Sequence, residues 1–449
     1  MKKIMVTIIS VFLLSIFSVK AENLPVYVNG TMLTDETSTV ALGDGTLKYD
    51  KAKKELTLEN ITLTSNDNYG INLTGEEDTK IILKGNNKIT VTGINFGIRS
   101  SSNLVITGDG TLTISAVFPA LKSTKTITID NAILDLTTTE EHLTAIENDK
   151  GLIIKNGSKV TAKGSGSAIS SYAKAEITDS ELELEAVFND SNAIYVEATN
   201  GDGTLTITNS KVKAKSGFAS IYSVGLMKLD NSTFTLDSQA GGIYTNTAVQ
   251  IKDSKVNIRS GNYGIGVNEG GYIKIDNSTF EITVNDVSFK TEPTLENMEN
   301  KVVYAGYEKD GTDAELLEIN DNFYISNRNY VKIMNKYTIK VVTDENVLYD
   351  QDEEMTVLEG EDKELVIKAK EGYKIKSVLV NDNNATLKDD KLSLKDIKEN
   401  IIVKINAEKI TLENPETSDN IGSIITLGII SVLTLTLSKV FITRKNEVN

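Results

Sequence analysis

Histidine occurs once in this 449-residue chain, at His142 within Glu140-Glu141-His142-Leu143, and cysteine does not occur at all. One imidazole cannot build a multi-histidine metal site, a Cys-His dyad lacks its cysteine, and nothing in the Glu140-Glu141-His142-Leu143 stretch marks this histidine as the base of a Ser-His-Asp triad. Without cysteine there is no thiolate, disulfide or zinc–thiolate chemistry either. A lone histidine beside acids reads as a solvated side chain. For polymer cleavage, what remains is a lyase that works with a basic residue alone, such as Arg99 or Arg259. No Asp-Asp pair lies in the repeated part of the chain, and Asp389-Asp390 falls outside it. The residue types therefore favour a protein that is not an enzyme.

Binding chemistry is better represented. Tyr195, Tyr222 and Tyr244 each directly follow an isoleucine at corresponding repeat positions. On strands this would set three aromatic rings in an outward row, and aromatic faces hold sugar rings; a stacked tyrosine ladder also stabilises a sheet with no ligand present. The same position elsewhere reads Asn72, Arg99, Lys122, Glu147, Ser170 and Gly266, so polar groups flank the row. Asp44, Asp109 and Asp202 sit in Gly-Asp-Gly turns. Such turns could hold calcium, and tight-turn geometry explains them equally well. No cofactor and no dedicated metal site is predicted.

The elements that would position these residues come from a repeat. Leu205-Thr-Ile207-Thr-Asn209-Ser-Lys-Val212 recurs as Met227-Lys-Leu229-Asp-Asn231-Ser-Thr-Phe234, Val249-Gln-Ile251-Lys-Asp253-Ser-Lys-Val256 and Ile273-Lys-Ile275-Asp-Asn277-Ser-Thr-Phe280. Apolar and polar residues alternate on both sides of the Asn or Asp, the period-2 pattern of a strand with one buried face. A third short strand is centred on Ile71, Ile98, Leu121, Ile146, Ile169, Ile194, Ile221, Ile243 and Ile265, eight steps spanning 194 residues. A fixed period near 24 residues is the mark of a solenoid. The prediction is a right-handed parallel β-helix of about ten three-strand coils over 70–290. Its core would be aliphatic ladders, Ile129, Ile154, Ile177, Ile207, Leu229, Ile251 and Ile275 in one column and Leu134, Val160, Leu182, Val212, Phe234, Val256 and Phe280 in another. The Asn/Asp column between them, from Asn131 to Asn277, is a corner, because these residues tolerate left-handed backbone.

Residues 22–69 read as an N-terminal cap with the first coil and 291–336 as a closing cap, since a solenoid end must be covered. Residues 337–409 form a separate β-rich module. Residues 1–21, with Lys2, Lys3, an apolar run and Val19-Lys20-Ala21, have the form of a secretory signal peptide. At the other end, a linker (410–420) precedes an apolar segment (421–442) of membrane-spanning length and a basic tail (443–449). The formal charge is -16; removing Lys2, Lys3 and Lys20 makes it -19, and removing 418–449 (three cations, two acids) makes it -20. Such a charge argues against nucleic-acid partners.

Three resemblances sharpen this reading. Asn414-Pro415-Glu416-Thr417-Ser418 resembles the LPxTG class of sortase signals in its Pro, Thr, spacer, apolar run and basic tail, with Asn for Leu and Ser for Gly. That resemblance implies sortase and peptidoglycan as partners and attachment to a Gram-positive cell wall; a plain single-pass membrane anchor is the alternative. Residues 22–335, with Ile106-Thr-Gly-Asp-Gly-Thr-Leu112 and the repeated Gly-Ile turns, resemble β-helical surface proteins of Firmicutes. Lys370-Glu-Gly-Tyr373-Lys-Ile-Lys-Ser-Val-Leu-Val380 is similar to the internalin B repeat, which implies a small β-sandwich or grasp-like spacer. The expectation is a secreted, wall-anchored, non-catalytic protein that binds an extracellular glycan or host surface through Tyr195, Tyr222 and Tyr244. A structural stalk without small ligand and a polysaccharide lyase or hydrolase are the alternatives.

Overall fold

The computed structural model describes residues 26–34, 38–319 and 324–411. The signal peptide, the sortase-like motif at Asn414 to Ser418, the apolar segment and the basic tail lie outside the described residues. Among the described residues there is no helix, and none long and apolar enough to cross a membrane. The chain divides into two compact units between Lys336 and Tyr337.

The first unit is a parallel β-solenoid with three sheets running its length. Sheet A contains twelve strands; its first two pair antiparallel, which leaves ten parallel strands, one per coil, from Ile71–Leu73 to Val287–Phe289. Their register places Ile71, Ile98, Leu121, Ile146, Ile169, Ile194, Ile221, Ile243, Ile265 and Phe289 in one continuous column. Sheet B stacks Ile129, Ile154, Ile177, Ile207, Leu229, Ile251 and Ile275, and sheet C stacks Leu134 through Phe280. These columns are almost completely buried and merge into a single core. Each aliphatic side chain withdrawn from water contributes roughly 2 kcal/mol, and no coil could realise that gain without its neighbours.

The corner between sheets B and C is where the register is enforced. Asn131, Asn156, Asp179, Asn209, Asn231, Asp253 and Asn277 all have φ between 42° and 58°, the left-handed region, and the column continues to Asn60 and Asn297 at its ends. The Asn231 amide donates to Asn209 Oδ1 at 2.7 Å, and Asn277 donates to Asp253 Oδ1 at 2.7 Å. The serine after the corner residue is buried and does more. Ser210, Ser232, Ser254 and Ser278 each donate their hydroxyl to the carbonyl two residues back, at 2.6 to 2.7 Å. Each also accepts the backbone N–H of the corresponding serine one coil earlier, at 3.0 to 3.1 Å. A backbone donor that the sheets leave unpaired at the bend is thus satisfied by the next coil.

At the N-terminal end the strands Val26–Val28 and Gly45–Asp50 pair antiparallel to the first coil, which terminates the parallel ladder. At the other end Thr294–Glu296 adds to sheet B, and residues 330–335 pair antiparallel with Lys301–Gly306 and with Thr279–Thr283. In the second unit, residues 339–343 pair parallel with Ile401–Lys409, which also pairs antiparallel with Tyr373–Val380. Two further strand pairs close its core of Ile339, Val341, Leu365, Ile367, Val378 and Val403.

Ser232→Ala removes the acceptor for the Ser210 N–H and is expected to cost about 1–3 kcal/mol, the penalty of a buried unmade hydrogen bond. Asn231→Val forces a β-branched residue into left-handed backbone and should cost about 1–2 kcal/mol, whereas Asn231→Gly should cost less than either. Denaturant unfolding midpoints for the three variants check this order.

Candidate functional site

The parallel strands of sheet A are three to five residues long, and most set one partly exposed residue between two buried ones. Pairing aligns these middle residues as Asn72, Arg99, Lys122, Glu147, Ser170, Tyr195, Tyr222, Tyr244 and Gly266. Tyr195 and Tyr222 stack with ring centroids 5.3 Å apart and planes 24° apart, and Tyr222 and Tyr244 with 5.7 Å and 19°. Near-parallel rings at this separation overlap in an offset stack, so they lie like shingles along the solenoid and turn much of their faces toward one another. The Tyr222 hydroxyl donates to Asn246 Oδ1 at 3.3 Å and the Tyr244 hydroxyl to Asn268 Oδ1.

The two ends of this ladder differ. Beyond Tyr244 the register neighbour is Gly266, where a Cβ would come within 2.8 Å of the ring. The missing side chain admits Lys290, whose ammonium lies 5.3 Å from the Tyr244 centroid and 3.9 Å from that of Tyr263, and closes this end with a cation. At the other end Tyr195 is followed by Ser170, a small buried residue hydrogen-bonded to Thr144 at 3.1 Å. A serine cannot cover a phenol ring, so one face of Tyr195 is left without a stacking partner from its register neighbour.

Polar groups surround that open end. Lys122 bridges Glu147 and Asp149 at 2.7 Å each, with its ammonium 5.8 Å from the Tyr172 ring. Burial disfavours the Lys122 charge, but the hydrogen bonds to Asp149 and Glu147 outweigh it and raise its pKa. Glu197 stands beside the Tyr195 hydroxyl. Burial first, and the Glu197 carboxylate second, push the Tyr195 phenol up to about 12. Tyr172, Tyr222 and Tyr263 are raised as well, in each case chiefly by burial. Tyr172, Glu197 and Lys290 were not singled out by sequence reasoning. Two of them occupy a column that follows from the same alternation: two residues after each outward residue stand Asp149, Tyr172, Glu197, Val224, Asn246 and Asn268.

A second candidate surface is the outer face of sheet C, where a groove of about 690 Å³ runs from Asp135 and Thr137 to Glu281 and Thr283. Its charges are set by strand. The acidic strand Glu181–Ala186 lies between Lys159–Gly164 and Lys211–Ser216. Lys213 pairs with Glu183 at 2.6 Å, Lys163 with Glu185 at 3.0 Å, and Lys159 and Lys211 both reach Glu181 at 3.4 Å. These exposed pairs contribute little stability individually; a slip of one coil, however, would set like charges opposite each other. The groove thus largely answers its own charges.

Arg259 lies in this groove, on sheet C, whereas Arg99 projects from sheet A, 6.0 Å from the Tyr69 ring. The structure does not bring the two together. The Gly-Asp-Gly turns also separate, with Asp44 in an N-terminal hairpin, Asp109 between sheets B and C, and Asp202 between sheets A and B. Asp202 accepts the Thr204 N–H at 3.0 Å, the main reason its carboxyl stays below the ordinary range. Among the described residues no three His, Asp or Glu side chains are grouped to hold a metal ion. The His142 and Phe188 rings meet in a tilted contact with centroids 4.3 Å apart.

A family model described as "Carbohydrate-binding domain-containing protein" matches residues 77–217. That segment carries Lys122, Glu147, Tyr172, Tyr195 and Glu197 but ends before Tyr222 and Tyr244. No curated protein and no solved structure matches the chain.

Because the folded solenoid favours the neutral phenol, the Tyr195 contribution to stability is full below pH 10.0, its ordinary pKa, and is lost as pH rises through about 12. Tyrosinate absorbance should therefore lag behind that of the unfolded chain over this window. Tyr195→Phe, which keeps the stack and removes the ionisation, should move alkaline unfolding to higher pH; an unchanged profile would contradict the assignment.

Proposed function

We propose that this chain is a non-catalytic, carbohydrate-binding surface protein whose solenoid holds glycan at the open end of the tyrosine ladder. The observation that carries the reading is a coincidence of two kinds of evidence. The segment matched by the carbohydrate-binding family model contains Tyr195, the ring whose register neighbour Ser170 gives it no stacking partner, together with Tyr172, Glu147 and Glu197 on the same side of the ladder. A sugar ring has an apolar C–H face and a rim of hydroxyls; an aromatic face beside carboxylates complements both. Tyr222 and Tyr244 serve by bracing Tyr195 from behind, through the stack and their bonds to Asn246 and Asn268.

We further propose that the protein is exported and joined to a Gram-positive cell wall. Residues 1–21 and the run from Asn414 to the basic tail support this, with sortase and peptidoglycan as the partners their form implies. The β-rich second unit would then act as a spacer, and the solenoid would face extracellular glycan or a host surface. Calcium is not required by this reading.

On a glycan array, with and without calcium, the exported protein should bind a restricted set of glycans. Tyr195→Ser should weaken that binding about tenfold and the triple Tyr195, Tyr222 and Tyr244 change to Ser should abolish it without unfolding the solenoid. Binding unaltered by the triple change would remove this site; silence over the whole array would favour a structural element. Release of unsaturated or reducing sugar ends from a bound polymer would overturn the non-catalytic assignment. In cells, Thr417→Ala should shift the protein from the wall fraction to the membrane fraction, and no shift would argue against sortase anchoring.

A further inference from the structure

The turns that lead from sheet C to sheet A vary in length from coil to coil. Residues 139–145 and 187–193 make two seven-residue turns, and the coil between them turns in only four residues, 165–168. Two coil steps rise roughly 10 Å, yet the long turns lean over the short one until the His142 and Phe188 rings meet at 4.3 Å with planes 36° apart. A hollow of about 600 Å³ results, lined by His142, Val187, Phe188, Asn189 and Asp190.

The hollow is held by the backbone. His142 has φ 61°, a left-handed conformation that is costly outside Asn, Asp and Gly. It is fixed there by its neighbours. The Ser165 hydroxyl donates to the Glu140 carbonyl, and the Gly166 N–H to the Leu143 carbonyl at 2.8 Å. The Phe188 N–H donates to the Ser165 carbonyl at 3.0 Å, and the Ser191 N–H to the Phe188 carbonyl at 3.1 Å. A Cβ at Gly166 would lie 2.6 Å from the His142 carbonyl group, so the short turn passes under the histidine only because it carries glycine there.

We infer that this hollow is a second sugar-binding subsite, separate from the tyrosine ladder, for a hexopyranose without an acidic group. The inference rests on the carbohydrate-binding reading, and the residues concerned fall within the segment matched by the family model. Phe188 and His142 supply ring surface for a C–H face. Asp190 and Asn189 stand at the rim with planar acceptors and donors for hydroxyls; the Asp190 carboxylate, 4.0 Å from His142 Nδ1, is not held in a close pair. Selectivity follows from charge. Glu140 and Glu141 occupy the same turn as His142, Asp190 stands at the rim, and no Lys or Arg lines the hollow, so a uronate would face three carboxylates and no permanent cation.

His142 is the only histidine in the chain, so histidine labelling gives one imidazole whose resonances report on this hollow alone. The labelled protein is titrated with β-1,4-linked hexasaccharides of glucose, glucosamine and glucuronic acid, and total binding is followed in parallel by calorimetry. Saturable movement of the His142 signals is expected with the glucose or glucosamine hexamer and not with the glucuronate hexamer. Phe188→Ala and the near-isosteric Asp190→Asn should each weaken that response about tenfold, while the triple tyrosine variant should retain it. Calorimetric binding with silent His142 signals, or affinities unchanged in both variants, would overturn the subsite and leave the tyrosine site standing. A response strongest to glucuronate would overturn the selectivity. No heat with any hexamer and no movement at His142 would count against both readings together.

Discussion

Everything in the solenoid depends on coils lying in strict parallel register, and the interaction that enforces it is the hydrogen-bonded corner between sheets B and C. A chain that bends sharply leaves backbone donors pointing away from either sheet, and burying them unpaired costs about as much as a lost hydrogen bond. Here an Asn or Asp takes the left-handed conformation at the bend and the next residue, serine, supplies the missing acceptor to the coil before it. The bond is between coils, not within one. A coil shifted by a residue would place the corner Asn or Asp, or the following Lys, Glu or Thr, where the serine hydroxyl is required, and would turn every inward aliphatic outward as well.

Register of this kind has a consequence for the surface. Any outward position becomes a column in which side chains repeat at strand spacing, roughly 4.8 Å, close enough for rings to stack and for acids to meet bases. The same rule therefore makes the tyrosine ladder on sheet A and the alternating Lys and Glu strands on sheet C. Function has to be written into departures from the column: a ladder that stops at Ser170, a glycine that lets Lys290 reach back, a short turn between two long ones.

This is also why some features were legible in the sequence and others were not. The isoleucine column, the Asn/Asp corner and the alignment of Tyr195, Tyr222 and Tyr244 are properties of spacing alone, and spacing is visible in a linear string. The serine ladder was written beside the corner in the repeats from Asp179 to Asn277, but its role depends on which donors the bend leaves unpaired. The contact of His142 with Phe188 joins residues 46 positions apart, two coils removed, and arises from unequal turn lengths. A residue such as Tyr172 falls between these cases. It obeys the alternation that places Tyr195, but it lies beyond the last residue of the strand Ile169–Ser171, where a pattern read strand by strand stops.

The stacked geometry bears directly on where a ligand can sit. Had the three tyrosines lain flat against the sheet, each would have offered a face and the row would have been a platform. With centroids 5.3 and 5.7 Å apart and planes within about 25° of parallel, the inner faces are largely spent on one another. Binding capacity is then concentrated at the terminus where the register neighbour is a serine and not a ring or a cation, and the inner rings contribute by rigidity, since a ring already fixed on its far side loses little freedom when a sugar arrives. The cation at the opposite end fits the same logic. Lys290 occupies the site that would otherwise be a second open face, which makes the ladder directional and ties its free end to the coils bearing Lys122, Glu147 and Glu197.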